Sequence, residues 1–223
     1  MNTLPRASYE KLVAHMEFVT MERGTELYSV GQPIDYMYFP VTALTSLIGM
    51  TLDGQGTELG MVGDEGFLGV PLLFGRGRKQ YSTVVQIAGS LWRMPKAVLT
   101  ELKRDRSPLV ETSYEYSNLR NAQIIQSAIC NRFHTLKQRL SRWLLTMATR
   151  ADQDELLLTQ EFLAQMVGAR RPAVAVAMGQ LQRKGLITYT RGRIRLEHRK
   201  ALESSACECY SIINKEIRAF LSS

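Results

Sequence analysis

The chain has 223 residues and a mass of 25.2 kDa, which suits one large domain or two modest ones. Hydrophobic residues make up 45% and charged residues 22%, an ordinary globular composition that excludes a disordered or fibrous chain. No apolar run is long enough to cross a membrane, and the N-terminus has no apolar signal segment, so we expect a cytoplasmic protein without a membrane partner. Three cysteines, an odd number, argue against a disulfide scaffold.

The net charge of +7 is concentrated in the second half of the chain. Residues 1–105 carry 10 basic and 11 acidic side chains, whereas residues 106–223 carry 18 basic and 10 acidic ones. Within 156–200, nine basic residues stand against Glu161 and Glu197 alone. This distribution predicts a polyanionic partner for the C-terminal third of the chain. A solvated basic face is the alternative that charge alone leaves open.

The N-terminal part is predicted to be a β-domain preceded by a short amphipathic helix up to about Glu17, with Leu12 and Met16 facing inward. From Phe18 to about Pro95, β-branched and aromatic runs alternate with glycine-centred turns. The clearest strands are Tyr36 to Phe39, Leu44 to Met50, Glu58 to Val62 and Ser82 to Ile87, with a hairpin turn over 51–56. This spacing predicts a small antiparallel barrel or sandwich, followed by a short helix after Pro95.

A long helix is predicted from Pro108 to about Phe133, because this segment lacks glycine and proline fits a first turn. About 26 residues would span about 40 Å. Ile124, Ile125 and Ala128 form one apolar face, and a second stripe indicates a dimer interface formed by Tyr116, Leu119, Ala122, Gln126, Ile129 and Phe133. The alternative is that both faces are buried within one chain. Another helix follows, with Leu136, Leu140, Trp143, Leu144 and Met147 at helical spacing, and then an acidic segment over 151–155.

The segment 156–197 has the pattern of a winged helix-turn-helix. Thr159 is a good N-cap for a first helix, which Gly168 ends. A second helix starts near Arg170 and Arg171 and ends at Gly185, and a tight basic hairpin follows with its turn at 191–193. A helical hairpin that binds another protein is the alternative.

Nine residues are predicted to contact DNA: Thr159, Gln160, Arg170, Arg171, Ala175, Val176, Gln180, Arg191 and Arg193. Arginines at the start of the second helix can reach guanine O6 and N7 or a phosphate, and Gln180 would face the same groove. Val176 gains nothing on a free surface but could touch a thymine methyl group. The hairpin arginines, with Thr159 and Gln160, would hold phosphates.

A shared pattern of residues is recognisable in both halves of the chain. In the C-terminal part it comprises Leu158-Thr159-Gln160, Gly168, Arg171, Val174, Leu181, Gly185-Leu186-Ile187 and Gly192, and in the β-domain Gly24, Gly31 and the turn Gly63 to Gly69. Through these residues the whole chain resembles the Crp/Fnr transcription regulators. The resemblance implies an α+β fold with an antiparallel cyclic-nucleotide-binding-like β-barrel (1–106), a long dimerisation helix (107–133) and a winged helix-turn-helix DNA-binding domain (134–223). It implies a homodimeric regulator that binds an operator in double-stranded DNA. RNA polymerase is a candidate partner, and a small-molecule effector is unknown or absent.

Two departures from the family pattern matter. Pro172 and Val176 replace a glutamate and an arginine of the common recognition helix, which implies a different target sequence. After the Phe67-Leu68-Gly69 turn, Val70 replaces the glutamate that would bind a ribose hydroxyl, and the phosphate position falls near Gln80 or Tyr81. An unpaired phosphate in an apolar pocket is costly, so we expect no control by cyclic AMP. Arg76, Arg78 and Lys79 are the nearby cations that could replace the missing phosphate partner.

Other chemistry finds little support in the sequence. Cys207-Glu208-Cys209 has only Cys130, His134 and His198 to complete a ligand set, so we expect cysteine packing between helices and no metal. An N-terminal iron–sulfur cluster is excluded, because no cysteine precedes Cys130. Catalytic and cofactor motifs are absent, so we expect neither an enzyme nor a cofactor. The alternative function is a ligand-sensing regulatory module whose C-terminal domain docks on a protein partner.

Overall fold

The computed structural model describes residues 10, 12–75, 81–104 and 107–222. Arg76, Arg78, Lys79 and Gln80 therefore lie outside the described residues. The chain divides into two compact units, one of Met1–Gly49, Gly60–Ala122 and Glu216–Ser223, the other of Met50–Leu59 and Gln123–Lys215. The boundaries of these compact units differ from the predicted domain boundaries after residues 106 and 133. The division into a barrel, a dimerisation helix and a DNA-binding domain stays a prediction. Within the described ranges, no helix combines the length and the apolar composition needed to cross a membrane.

The N-terminal half is built from two antiparallel sheets and a long helix. Its elements are β1 (Glu17–Met21), β2 (Glu26–Tyr28), β3 (Tyr36–Pro40), β4 (Leu44–Met50), β5 (Gly56–Val62), a short 3-10 helix (Val70–Phe74), β6 (Ser82–Ile87), β7 (Gly89–Pro95), α1 (Lys96–Arg104) and α2 (Pro108–Phe133). The strand orders are β1-β7-β3 and β2-β6-β4-β5. In the first sheet Phe18 pairs with Trp92, and in the second Ser46 pairs with Val84. The four predicted strands, the helix after Pro95 and the bounds of the long helix are confirmed.

The core of the first unit corrects part of the predicted dimer interface. Tyr116 and Leu119 are only 1% and 6% exposed and belong to a hydrophobic cluster with Phe67 and Leu12. The Tyr116 ring lies 4.4 Å from that of Phe67 and 5.7 Å from that of Phe220. Both side chains are therefore enclosed by their own chain and are not available to a second subunit. Leu12 faces inward as predicted, although β1 already begins at Glu17.

The second unit packs helices around a buried tryptophan. After α2 come α3 (Leu136–Ala151), β8 (Glu155–Leu157), α4 (Gln160–Met166), α5 (Arg171–Arg183), β9 (Ile187–Thr190), β10 (Arg193–Leu196), α6 (Arg199–Glu203) and α7 (Cys209–Leu221). A capping box between Thr135 and Gln138 starts α3. Trp143 is 1% exposed, and its ring meets that of Phe162 edge-on at 6.1 Å. This core fixes α4 and α5 against α3.

Candidate nucleic-acid interface

The helix-turn-helix begins at a capped helix and turns at a glycine. The Thr159 hydroxyl accepts a hydrogen bond from the Phe162 N–H at 3.1 Å and so caps α4. Gly168 has a φ of 58°, a conformation that L-residues rarely adopt, and the Ala169 N–H donates to the Ala164 carbonyl at 2.9 Å. This turn ends α4 and lets α5 start three residues later at Arg171.

The next helix, α5, buries one face and exposes the other. The buried face contains Val174, Ala177, Met178 and Leu181. Because these residues recur at three- and four-residue spacing, the opposite side faces solvent. That side carries Val176 and Gln180, Ala175 is half-buried, and Arg171 is exposed as the first residue of the helix. Val176 is 61% exposed, which leaves a branched apolar side chain in the middle of a solvent-facing helix.

The hairpin of β9 and β10, which we call the wing, has a tight turn of defined type. Thr190 pairs with Arg193, which leaves a two-residue loop. Arg191 and Gly192 have φ values of 49° and 80°, as a type I′ turn requires at both central residues. Arginine is uncommon at such a position, because its Cβ crowds the following carbonyl. The wing therefore holds a cationic side chain at its tip in a backbone conformation that asparagine or glycine would adopt more readily.

A third strand that sequence patterning missed supports the wing. β8 pairs with β10, with Leu156 opposite Ile194, and both side chains are buried. At the edge of the same pairing, Arg193 forms an ion pair with Glu155. β8 has only three residues, too few for alternation to be recognised. Its position next to the wing means that the charge of Arg193 is partly compensated within the protein.

Three of the arginines predicted to contact DNA form no ion pair within the described part of the chain. Arg170, Arg171 and Arg191 are exposed, and no carboxylate pairs with them in the part of the chain that the structure describes. Arg170 is the N-cap residue of α5 and makes no side-chain capping bond. The start of α5 and the tip of the wing thus each carry positive charge that no carboxylate compensates within the described residues.

Three other residues predicted to contact DNA differ in exposure. Thr159 and Gln180 are exposed, whereas Gln160 is half-buried. Because the Thr159 hydroxyl already accepts one hydrogen bond, its remaining role toward a phosphate is as a donor. Arg183 and Lys184, at the end of α5, are also exposed and were not among the predicted contacts. Both are recognisable as basic side chains in the sequence. They lie after Gln180, the last residue of α5 that we expected to reach the major groove.

The second half of α2 exposes an apolar row, which we call the α2 stripe: Ile125, Ile129 and Phe133. Their side chains are 52%, 41% and 74% exposed. Two other residues predicted for the dimer interface, Ala122 and Gln126, are half-buried. The Gln126 side chain donates to the Cys209 sulfur at 3.0 Å and is thus engaged within its own chain.

In the described part of the first unit, an apolar side chain stands where the family pattern has a glutamate. Gly69 has a φ of 107° and leads into the 3-10 helix, where Val70 packs against the hydrophobic core. Burial raises the pKa of Tyr81, and the positive charge of Arg120 partly opposes that shift. Arg120 is a buried cation that sequence patterning missed; its Nη1 donates to the Met61 carbonyl at 3.0 Å. Its guanidinium is therefore engaged with the main chain of β5.

Both halves of the chain match known families. Residues 18–106 match the cyclic nucleotide-binding domain, and residues 138–205 match the Crp-like helix-turn-helix domain. No curated protein sequence matches the chain significantly.

Solved structures share the fold across nearly the whole chain. A transcriptional regulator from Eubacterium rectale assigned to the Crp/Fnr family has a TM-score of 0.76 at 17% identity, covering 91% of this chain and 95% of its own. The c-di-GMP-responsive global regulator CLP from Xanthomonas campestris has a TM-score of 0.73 at 18% identity, covering 87% and 100%. A Crp/Fnr-family regulator from Thermus thermophilus has a TM-score of 0.67 at 24% identity, covering 85% and 98%. With the two domain matches in this order and this shared fold, the chain belongs to the Crp/Fnr family of transcriptional regulators.

Proposed function

We propose that the protein is a homodimeric regulator that binds a specific sequence in double-stranded DNA through α5 and the wing, without requiring cyclic AMP. The observation that carries this proposal is the solvent-facing side of α5. Two arginines stand exposed at its start and Val176 stands exposed in its middle, while the core is formed by the opposite side. Folding does not need these side chains on this face, whereas a major groove would use all three.

Sequence preference would come from α5 and affinity from the wing. Arg171 at the start of the helix is placed to form paired hydrogen bonds with guanine O6 and N7, and Val176 to meet a thymine methyl group. Arg191 at the wing tip would contact a flanking phosphate, which adds affinity on any sequence. Because Arg193 is already paired with Glu155, we expect it to contribute less to DNA binding than Arg191 does.

The α2 stripe supports the homodimer. Ile125, Ile129 and Phe133 recur every four residues on one exposed face, the spacing at which a helix packs along a second copy of itself. A two-fold axis along this stripe would make the interface self-complementary. Dimeric helix-turn-helix proteins place their recognition helices about 34–36 Å apart, one turn of DNA. We therefore expect a palindromic operator.

The ligand pocket supports independence from cyclic AMP. Val70 offers no acceptor for a ribose hydroxyl, and Pro71 lacks an N–H in the same turn. Each buried polar group left unpaired costs about 1–3 kcal/mol, so two defects would weaken a micromolar site by roughly two to four decades. Titration calorimetry should show no saturable binding of cyclic AMP or cyclic GMP. A dissociation constant below about 10 μM would contradict the proposal.

Because the similar regulator from Xanthomonas campestris is named as c-di-GMP-responsive, that dinucleotide belongs in the same titration series.

Selection from random duplex DNA tests the function itself. Full-length protein without added nucleotide should enrich one palindromic motif with half-site centres about 10 base pairs apart. A pool that stays random after repeated rounds, at a salt concentration where the protein still binds DNA, would contradict sequence-specific recognition. Retention of the protein on a protein partner but not on any DNA would instead support docking by the C-terminal domain.

A further inference from the structure

Four potential metal ligands from two distant segments meet in the second unit. They are Cys130, His134, Cys207 and Cys209, and their ligand atoms all lie within 4.8 Å of one another. The Cys130 and Cys207 sulfurs are 3.5 Å apart, as are the Cys209 sulfur and Nδ1 of His134. A tetrahedral site with Zn–S bonds of about 2.3 Å separates its sulfurs by about 3.8 Å. The spacing of the ligand atoms is therefore close to that of a tetrahedral zinc site.

Each pair of ligands has one member in a helix and the other next to the end of that helix. Cys130 lies in the last turn of α2, and the His134 N–H donates to the Cys130 carbonyl at 3.1 Å, which places the two side chains one turn apart. Cys207 precedes α7 and Cys209 is its first residue. The N-terminus of a helix favours a thiolate, because its backbone N–H groups carry partial positive charge.

A second layer of hydrogen bonds orients the ligands. Nε2 of His134 lies 3.0 Å from a carboxylate oxygen of Glu208, so the opposite ring nitrogen faces the cysteines. A carboxylate on the outer nitrogen of a histidine is the usual partner of a histidine that binds zinc. The Gln126 amide donates to the Cys209 sulfur at 3.0 Å, a bond that a thiolate accepts better than a thiol. Neither hydrogen bond is needed if the three cysteines serve only as packing residues in the core.

Burial defines the kind of site. Cys130, Cys207 and Cys209 are 0%, 4% and 0% exposed and form a cluster of their own. Sulfur and imidazole ligands select zinc over the harder cations, which prefer oxygen. Four protein ligands complete a tetrahedron and leave no position for water, which is the arrangement of a structural site.

We propose that Cys130, His134, Cys207 and Cys209 bind one structural Zn²⁺ ion that ties the end of α2 to the start of α7. The sequence led us to expect cysteine packing without a metal, because Cys207-Glu208-Cys209 has no second ligand pair nearby along the chain. The fold supplies that pair from the end of α2. His198, the other candidate from the sequence, is not part of the cluster.

Metal analysis of the full-length protein tests the proposal. Protein purified in reductant and loaded with Zn²⁺ should retain one equivalent per chain after desalting, measured by mass spectrometry of the metal. His198→Ala removes an exposed histidine outside the cluster and should retain the same amount. Cys209→Ser should lose it. Cobalt in place of zinc should give the intense visible absorption of tetrahedral thiolate coordination.

A milder variant keeps the test valid if Cys209→Ser fails to fold. Glu208→Gln leaves all four ligands in place and should weaken zinc binding about 10- to 100-fold in competition with a chelator. The proposal is overturned if the reduced wild-type protein retains no zinc, if its cobalt spectrum is octahedral, if the cysteines hold an iron–sulfur cluster, or if Cys130 and Cys207 form a disulfide in its place. None of these measurements uses DNA, so their outcome is independent of the proposed function.

Discussion

Arg171 is the side chain on which sequence preference should depend most. It is exposed at the start of α5, and the surface beyond it is small or apolar up to Gln180. Arg171→Ala should weaken binding to the selected operator by about 1–3 kcal/mol and relax the preference at one base pair. The measurement is fluorescence anisotropy on operator duplexes that vary each position in turn.

The control for this variant is Arg218→Ala, which removes an exposed arginine on α7 with the same change of charge. It should leave operator affinity and preference unchanged. If Arg171→Ala weakens binding equally on operator and random duplexes, Arg171 contacts only a phosphate, and its assigned role in base recognition is wrong.

Replacing Arg191 should change the stability of the protein and its affinity for DNA in opposite directions. Its φ of 49° suits asparagine, and Asn-Gly is the preferred pair in a type I′ turn. Arg191→Asn should therefore raise the free energy of unfolding, by up to about 1 kcal/mol. It should also weaken binding similarly on all DNA sequences and lower the salt slope by about 1. Chemical denaturation and anisotropy at several salt concentrations measure the two effects. A variant that binds DNA with the wild-type salt slope would show that the wing tip does not touch a phosphate.

At the scale of elements, the turn after β5 packs tightly on α2. A Cβ on Gly66 would lie 2.2 Å from the Tyr116 hydroxyl, so no side chain fits without displacing the ring. Gly66→Ala should lower the free energy of unfolding by about 1–3 kcal/mol. In a Tyr116→Leu background, the same substitution should have a smaller effect, because the obstructing ring and its hydroxyl are gone.

This double-mutant cycle also tests the revised position of Tyr116. If the two substitutions act independently, the ring does not occupy the space beside Gly66. Tyr116 would then be available to a second subunit.

The strongest sequence patterns predicted their elements well. Four strands, the long helix from Pro108 to Phe133 and the two helices around Gly168 follow from alternation, the absence of glycine and capping residues. β2 and β8 have three residues each, which is too short for a period to show. β7 was missed because its burial does not alternate, with Leu91 and Met94 buried three residues apart.

The candidate sites differ in how far sequence could predict them. The proposed DNA-binding surface lies within one segment, so the spacing along α5 already separates the buried Val174 from the exposed Val176. The cysteine cluster needs α2 and α7 to meet, a contact between distant segments that no local pattern contains. The predicted dimer interface could be predicted in part. Helical spacing places Tyr116 and Ile129 on one stripe, but only the packed core shows that Tyr116 is buried while Ile129 is exposed.

At the scale of the whole molecule, assembly should depend on the α2 stripe. Ile129→Asp replaces an exposed apolar side chain with a charged one, so it should disrupt a two-fold interface while leaving the fold of the single chain intact. Sedimentation should show monomers at micromolar concentration, and operator affinity should fall sharply. Ile129→Leu serves as the control and should remain a dimer. A wild-type protein that is monomeric under the same conditions would contradict the proposed assembly.

The central claim is that α5 and the wing recognise a DNA sequence, and one measurement tests it most directly. Anisotropy titrations compare the selected operator with a scrambled duplex of equal length between about 50 and 200 mM salt. We predict that binding to both duplexes weakens steeply as salt rises, because cations such as Arg170 and Arg191 displace counterions from phosphates. The operator should stay preferred by about 10³-fold or more. Equal affinity for the two duplexes, or binding that does not respond to salt, would contradict the account.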